Sequence, residues 1–263
     1  MHWLSCGMVD DTLAGCYVIS LRPVGAHAGM RRAAAEHGAR VLALSPWKLL
    51  RRDDAMTRDS LRRALDCDRV LFSSPAAVRA AASLRPLRMR PGQPWLTIGA
   101  STAEALRHVG VTTAISPARM DSEGLLALPE LQQIAGLTIG MVTAPDGRDL
   151  LPATLQLRGA HIVRADVYAR EPRALSPRAL SDLQAISAPM WLPVSSGEAL
   201  QRVLSALPMA AQSHLRQARV VAASIRLAEL AQTLGFMDVV QAGSGRPRDL
   251  MAAAARAISH PLA

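Results

Sequence analysis

Lysine is nearly absent from this 263-residue chain: Lys48 stands alone, so the formal net charge of +9 is carried almost entirely by arginine. The arginines are spread along the chain, which excludes a basic arm or tail. Aromatic residues make up only 3%, too few for the stacking platforms that hold single-stranded nucleic acid. A nucleic-acid binder prompted by the charge alone would show itself by salt-sensitive association with duplex DNA. Guanidinium groups also pair with carboxylates and phosphates by their forked geometry, and an acidic small molecule is the better partner.

Cysteine is scarce too. Cys6, Cys16 and Cys67 are an odd number without paired metal-ligand spacing, which points to a reduced, cytoplasmic protein. No run of about 18 apolar residues is present, so a membrane helix is not expected. The first 14 residues lack a positive start before their short apolar stretch and soon meet Asp10 and Asp11. They make a poor signal peptide and are expected to form a loose leader. There is no Walker A pattern and no G-x-G-x-x-G after a strand; GSGRPRD from Gly243 lacks the third glycine and the acidic partner of a dinucleotide site.

What is present is enough apolar content, 50%, to bury a core in one large domain or two ordinary ones. YVISLRPVGAHAGMRRAAAEHGARVLALSPW reads as strand, turn, helix, glycine stop and strand. LTIGMVTAPDGRDLLPATLQLRGAHIVRADVY reads the same way. Gly38 answers Gly159 at an offset of 121, Ser73 answers Ser195 at 122, and Gly110 answers Gly235 at 125. Matched units in one order with a slowly drifting offset indicate internal duplication. Each copy alternates strand and helix, the pattern of a parallel sheet covered on both faces. If the halves folded separately, the border would fall near residues 129 to 137; breaks after Pro46 and after Arg170 offer another division.

Each copy also carries a serine corner where a strand gives way to a helix. In LFSSPAAVRA, Ser73 and Ser74 precede Pro75, which lacks an N–H where a helix start needs none. Ser195 and Ser196 occupy the second corner. Helix capping explains such residues simply, but the corners lie at the carboxyl ends of predicted strands, where open α/β sheets bind ligands. Helix starts there attract anions. A further corner recurs as Gly99, Ser101 and Thr102 in one copy and Ser224 in the other. Arg22 and Arg148 stand at the matching early turns of the two copies and could fork onto carboxylates.

Together, ISLRP, LFSSPAAV, TIGASTAEAL followed by Gly110, SEGLL from Ser122, DGRDLL, RGAHIVRADVYARE and VSSGEAL resemble the uroporphyrinogen-III synthase family, from about Tyr17 to the C-terminal helix. The resemblance implies two similar, doubly wound α/β lobes, 15–46 plus 173–263 and 49–168, joined by a two-stranded link with a cleft between them. VLALSP and HIVRADVYA would be the link. It also implies an enzyme that cyclises hydroxymethylbilane, a linear tetrapyrrole with eight carboxylates, to uroporphyrinogen III, with no metal or organic cofactor. Tyr168, one of two tyrosines, would assist departure of the hydroxyl as a neutral donor. Arg22, Ser73, Ser74, Ser101, Thr102, Arg148, Ser195, Ser196 and Ser224 would bind substrate. A monomer is expected. Two departures from the family pattern are Ala76, where Asn is frequent, and Leu227, where the second lobe often has Thr. The competing expectation is a non-catalytic two-lobed binder of an anionic metabolite.

Overall fold

A computed structural model of the chain describes residues 11–119, 122–145 and 150–259. Its strands, in chain order, are β1 Tyr17–Ser20, β2 Arg40–Ala43, β3 Trp47–Arg51, β4 Arg69–Phe72, β5 Trp95–Thr97, β6 Thr138–Thr143, β7 His161–Asp166, β8 Tyr168–Pro172, β9 Met190–Val194, β10 Arg219–Ala222 and β11 Val239–Gln241. The chain divides into two compact units: one holds the residues up to Lys48 and those from Pro172, the other holds Leu49–Glu171.

Unit one contains a five-stranded parallel sheet in the order β11-β10-β9-β1-β2, and unit two a four-stranded parallel sheet in the order β5-β4-β6-β7. An isolated parallel bridge from Leu96 to Ile115 extends the second sheet beyond β5. The central strands are buried without alternation: all five residues of β9 are buried, as are the last three of β1, β4 and β10. Such runs are what a strand needs when helices cover both faces of its sheet. In unit two the faces separate cleanly. Val70 and Phe72 of β4 pack with Val78, Ala81 and Trp95, while Leu71 points the other way to Leu125, Leu131 and Leu155.

The sheet registers superpose the two copies. Tyr17 pairs with Arg40 and Thr138 with His161, an offset of 121 in both partners. Gly38 and Gly159, two residues before those partners, have φ of +77° and +85°, and Gly110 and Gly235 have +91° and +89°. In that left-handed region a side chain is disfavoured, so these glycines are fixed by the same helix-ending turn in each copy.

The sequence copies and the compact units do not coincide. The first copy gives β1 and β2 to unit one but β4 and β5 to unit two; the second gives β6 and β7 to unit two but β9 to β11 to unit one. Each unit is therefore a complete set assembled from parts of both copies. The chain changes unit at β3 and at β8, whose first residues, Trp47 and Tyr168, match at the offset of 121, and the two strands pair with each other as a two-stranded sheet. That pairing satisfies backbone groups that a lone crossing strand would leave open. The connecting pair thus differs from the expected VLALSP and HIVRADVYA: Arg40–Ala43 and His161–Asp166 belong to the main sheets, and the crossings are the segments that follow.

Part of the expected leader is also structured. Asp11–Leu13 form a 3-10 turn, and Leu13, fully buried, packs among Val18, Met30, Leu250 and Met251. Residues 1–10 lie outside the described residues.

Candidate active site

In unit two the carboxyl ends of β4 and β6 and the start of β8 bring three hydroxyl-bearing segments together. The Ser73 amide donates to Val142 O at 3.1 Å, holding the residue in line with the strand. Its hydroxyl donates to Thr143 Oγ1 at 2.8 Å. Ser74 begins the helix Pro75–Leu84: its Oγ accepts the Ala77 amide at 3.1 Å, with Pro75 at the first helical position. The same oxygen lies 3.1 Å from the Tyr168 hydroxyl, and either hydroxyl can donate in that pair. Tyr168 is 4% exposed and its ring belongs to the core with Ala77, Val78, Val142 and Val167. Beside β4, Thr97 Oγ1 is 2.6 Å from Ser116 Oγ. Gly99 then opens the helix Ala100–His108 with no side-chain cap; Ser101 is exposed and Thr102 buried in its first turn.

Unit one repeats the topology with different chemistry. Ser196 caps the helix Gly197–Ala206 through the Ala199 amide at 3.3 Å. Ser195 is exposed, and its hydroxyl has no partner among the described residues. Ser224, extended at φ −162°, opens the helix Ile225–Thr233 without a side-chain cap bond. Arg22 follows β1 and donates from Nη2 to Gly245 O at 3.3 Å, while its buried Nε has no acceptor among the described residues. Burial pushes its guanidinium below the usual arginine range. A Cβ on Gly245 would lie 3.4 Å from Ser195 Cβ and 3.5 Å from Ala223 Cβ. Arg22 is thus tied to a loop that packs on the serine corner.

Nearby, His27 bridges two strand ends. Its Nδ1 is 2.9 Å from Ser20 Oγ and its Nε2 2.8 Å from Ser45 Oγ. Burial, reinforced by Arg31 and Arg22, pushes its pKa down to about 4, so the ring is neutral near pH 7. Nothing in GAHAG marks this histidine from sequence; Ser20 and Ser45 at the ends of apolar runs were the available signal. Thr143, Thr97 and Ser116 were missed as well, because their partners become visible only when strands are paired.

The serines therefore divide in a way their symmetry conceals. The hydroxyls of Ser73, Ser74 and Ser196 are engaged within the protein, whereas those of Ser195 and Ser224 have no partner among the described residues. Arg148 lies outside the described residues. The offset of 121 matches Arg22 with Thr143. Leu227 falls opposite Thr102, as expected: β5 and β10 superpose at an offset of 125. There it is buried, and a Cβ on Gly197 would lie 3.4 Å from its Cδ2. Among the described residues no group of three or more His, Cys, Asp and Glu could hold a metal ion, and no helix is long and apolar enough to cross a membrane.

A family model described as uroporphyrinogen-III synthase HemD matches residues 29–252. The chain belongs to the uroporphyrinogen-III synthase family. It is similar to the uroporphyrinogen-III synthase of Salmonella typhimurium, with 36% identity over 158 residues, covering 57% of this chain and 64% of that one. It is also 36% identical over 154 residues to the Escherichia coli uroporphyrinogen-III synthase, covering 55% and 60% respectively. Each match spans less than two thirds of the relative's length. Among solved structures, a mutant uroporphyrinogen III synthase from Thermus thermophilus superposes with a TM-score of 0.62 at 17% identity, covering 94% of this chain and 99% of that one. The α/β architecture is thus that of solved uroporphyrinogen-III synthases.

Proposed function

We propose that the protein cyclises hydroxymethylbilane to uroporphyrinogen III, losing water and inverting the terminal ring, with Tyr168 as the proton donor to the departing hydroxyl. The observation that carries the reading is the placement of the Tyr168 hydroxyl at a strand-end corner, 3.1 Å from Ser74 Oγ, in a chain of this family. Breaking the C–O bond leaves its electron pair on oxygen, which takes the phenol proton and departs as water. The pyrrole nitrogen supplies electrons and an azafulvenium forms. The far ring attacks through its already substituted carbon, and the spiro intermediate fragments and recloses. A proton lost as the final pyrrole regains aromaticity restores the phenol. Pyrrole chemistry supplies most of the driving force, leaving the protein to position the two ends and to favour departure.

Carboxylate binding falls to groups with donor capacity to spare. Arg22 Nε and the hydroxyls of Ser195 and Ser224 meet that condition in unit one, with Ser101, Thr102 and the uncapped start of Ala100–His108 in unit two. Arg148 retains its place from the sequence. Ser73 and Ser196 contribute corner geometry rather than hydroxyls. The same reading makes the protein a cytoplasmic monomer that needs no cofactor.

The deciding experiment mixes purified protein with freshly generated hydroxymethylbilane and resolves the product isomers. Type III in clear excess over the uncatalysed type I is expected. The same isomer distribution with and without protein would leave a non-catalytic binder of an anionic metabolite.

A further inference from the structure

Ser74 holds two partners at once. Its oxygen carries one proton and two lone pairs. The Ala77 N–H occupies one lone pair at 3.1 Å, and the Tyr168 hydroxyl stands at the same distance. If Tyr168 donated to Ser74, the phenol proton would be spent inside the protein. If Ser74 donates to the Tyr168 oxygen, both hydroxyls are satisfied and the phenol proton remains available to a third partner. In that order the bonds run from the Ala77 amide to Ser74 to Tyr168, each polarising the next. The series starts at the positive end of the ten-residue helix Pro75–Leu84.

The surroundings hold this arrangement in place. Tyr168 is packed in the core and cannot swing its ring freely, Ser73 is fixed separately through Thr143, and Pro75 brings no competing N–H to the corner. Unit one supplies an internal control. Ser196 makes the same cap to Ala199 at 3.3 Å, yet the position matching Tyr168 there is Trp47. A cap of this kind does not require a phenol beside it.

We infer that Ser74 is a positioning residue for proton transfer rather than a carboxylate ligand: it fixes the Tyr168 hydroxyl and, by donating to its oxygen, directs the phenol proton outward. This rests on the reading of Tyr168 as donor. In the transfer the proton passes from Tyr168 to the leaving oxygen, the C–O electron pair stays on that oxygen, and Ser74 keeps its own proton while hydrogen-bonding the phenolate.

The test compares kcat, KM and thermal melting of Ser74 and Tyr168 variants turning over hydroxymethylbilane. Ser74→Gly removes the donor without adding charge and starts a helix nearly as well as serine. It is expected to fold, with kcat down roughly 5- to 30-fold and KM within about twofold of wild type. Ser74→Thr keeps both the cap and the proton and should recover most of that rate. With Tyr168→Phe already present, Ser74→Gly should slow turnover no further, because the lost donor acts through the phenol. Undiminished kcat in Ser74→Gly, or a full second slowing on the Tyr168→Phe background, would overturn the positioning role and leave Tyr168 as donor. Wild-type turnover in Tyr168→Phe would instead remove the reading on which it rests.

Discussion

The two units share one topology but use their carboxyl-end hydroxyls differently. In unit two Ser73 is bonded to Thr143, Ser74 to Tyr168 and Thr97 to Ser116, three separate pairs of which one holds a phenol. In unit one Ser195 and Ser224 have no side-chain partner among the described residues, and Arg22 Nε is buried without an acceptor. Duplication supplied the same corners twice, and the copies diverged in what the corners hold. An engaged hydroxyl orients a neighbour, while a spare one is available to a ligand.

The largest effect expected from breaking this contrast is that of Tyr168→Phe. One hydrogen bond disappears while the ring's packing survives, so loss of about 1 to 3 kcal/mol in the transition state should slow turnover roughly 5- to 150-fold. The type III isomer should still predominate, as read by product analysis.

His27 gives unit one a buried titratable group at its strand ends. Its folded pKa, about 4, lies below the ordinary histidine value of 6.5. The unfolded chain therefore binds a proton first as pH falls. Stability should be unaffected above about pH 6.5 and should decline between about 6.5 and 4 by roughly 3 kcal/mol, then level off with respect to this group. Urea unfolding across that range should lose this slope in His27→Asn; an unchanged slope would assign it to other groups.

Arg22→Ala tests unit one as the side with donors to spare. A charge-assisted bond to a substrate carboxylate predicts an increase of roughly 10-fold in KM with a smaller change in kcat. Raising ionic strength should move KM in the same direction, since salt screens exposed pairs beyond roughly 10 Å at 0.1 M. A KM indifferent to both would place binding on neutral amides.

The smallest effects separate engaged from spare hydroxyls. Ser73→Ala leaves the buried Thr143 without its donor and should cost about 1 kcal/mol of stability. Ser224→Ala should leave stability within about 0.5 kcal/mol and raise KM severalfold. Thermal melts and steady-state kinetics on both variants would reveal a reversal of these roles.

The duplication was legible in the sequence because its marks are local. Apolar runs and glycine stops recur where the left-handed turns at Gly38, Gly159, Gly110 and Gly235 demand them. The crossings were harder to place. WKLLR and YAREP each carry two charged residues and resemble loops, whereas VLALSP opens on an uninterrupted apolar run that reads as a strand. Pairing between segments about 120 residues apart decides the matter. Ser74 and Ser196 were recognisable as helix caps from Ser-Ser followed by a helix start. That Ser74 also meets Tyr168, 94 residues away, and Ser73 meets Thr143, 70 residues away, follows only from sheet order. The inequality of the serine corners was therefore hidden by their identical letters.

The measurement that bears most directly on the Tyr168 phenol is the single-turnover rate of type III formation at saturating hydroxymethylbilane, in wild type and in Tyr168→Phe with a matching thermal melt. A rate roughly 5- to 150-fold lower is expected in the variant. An unchanged rate in the folded variant would contradict the role of Tyr168 as donor.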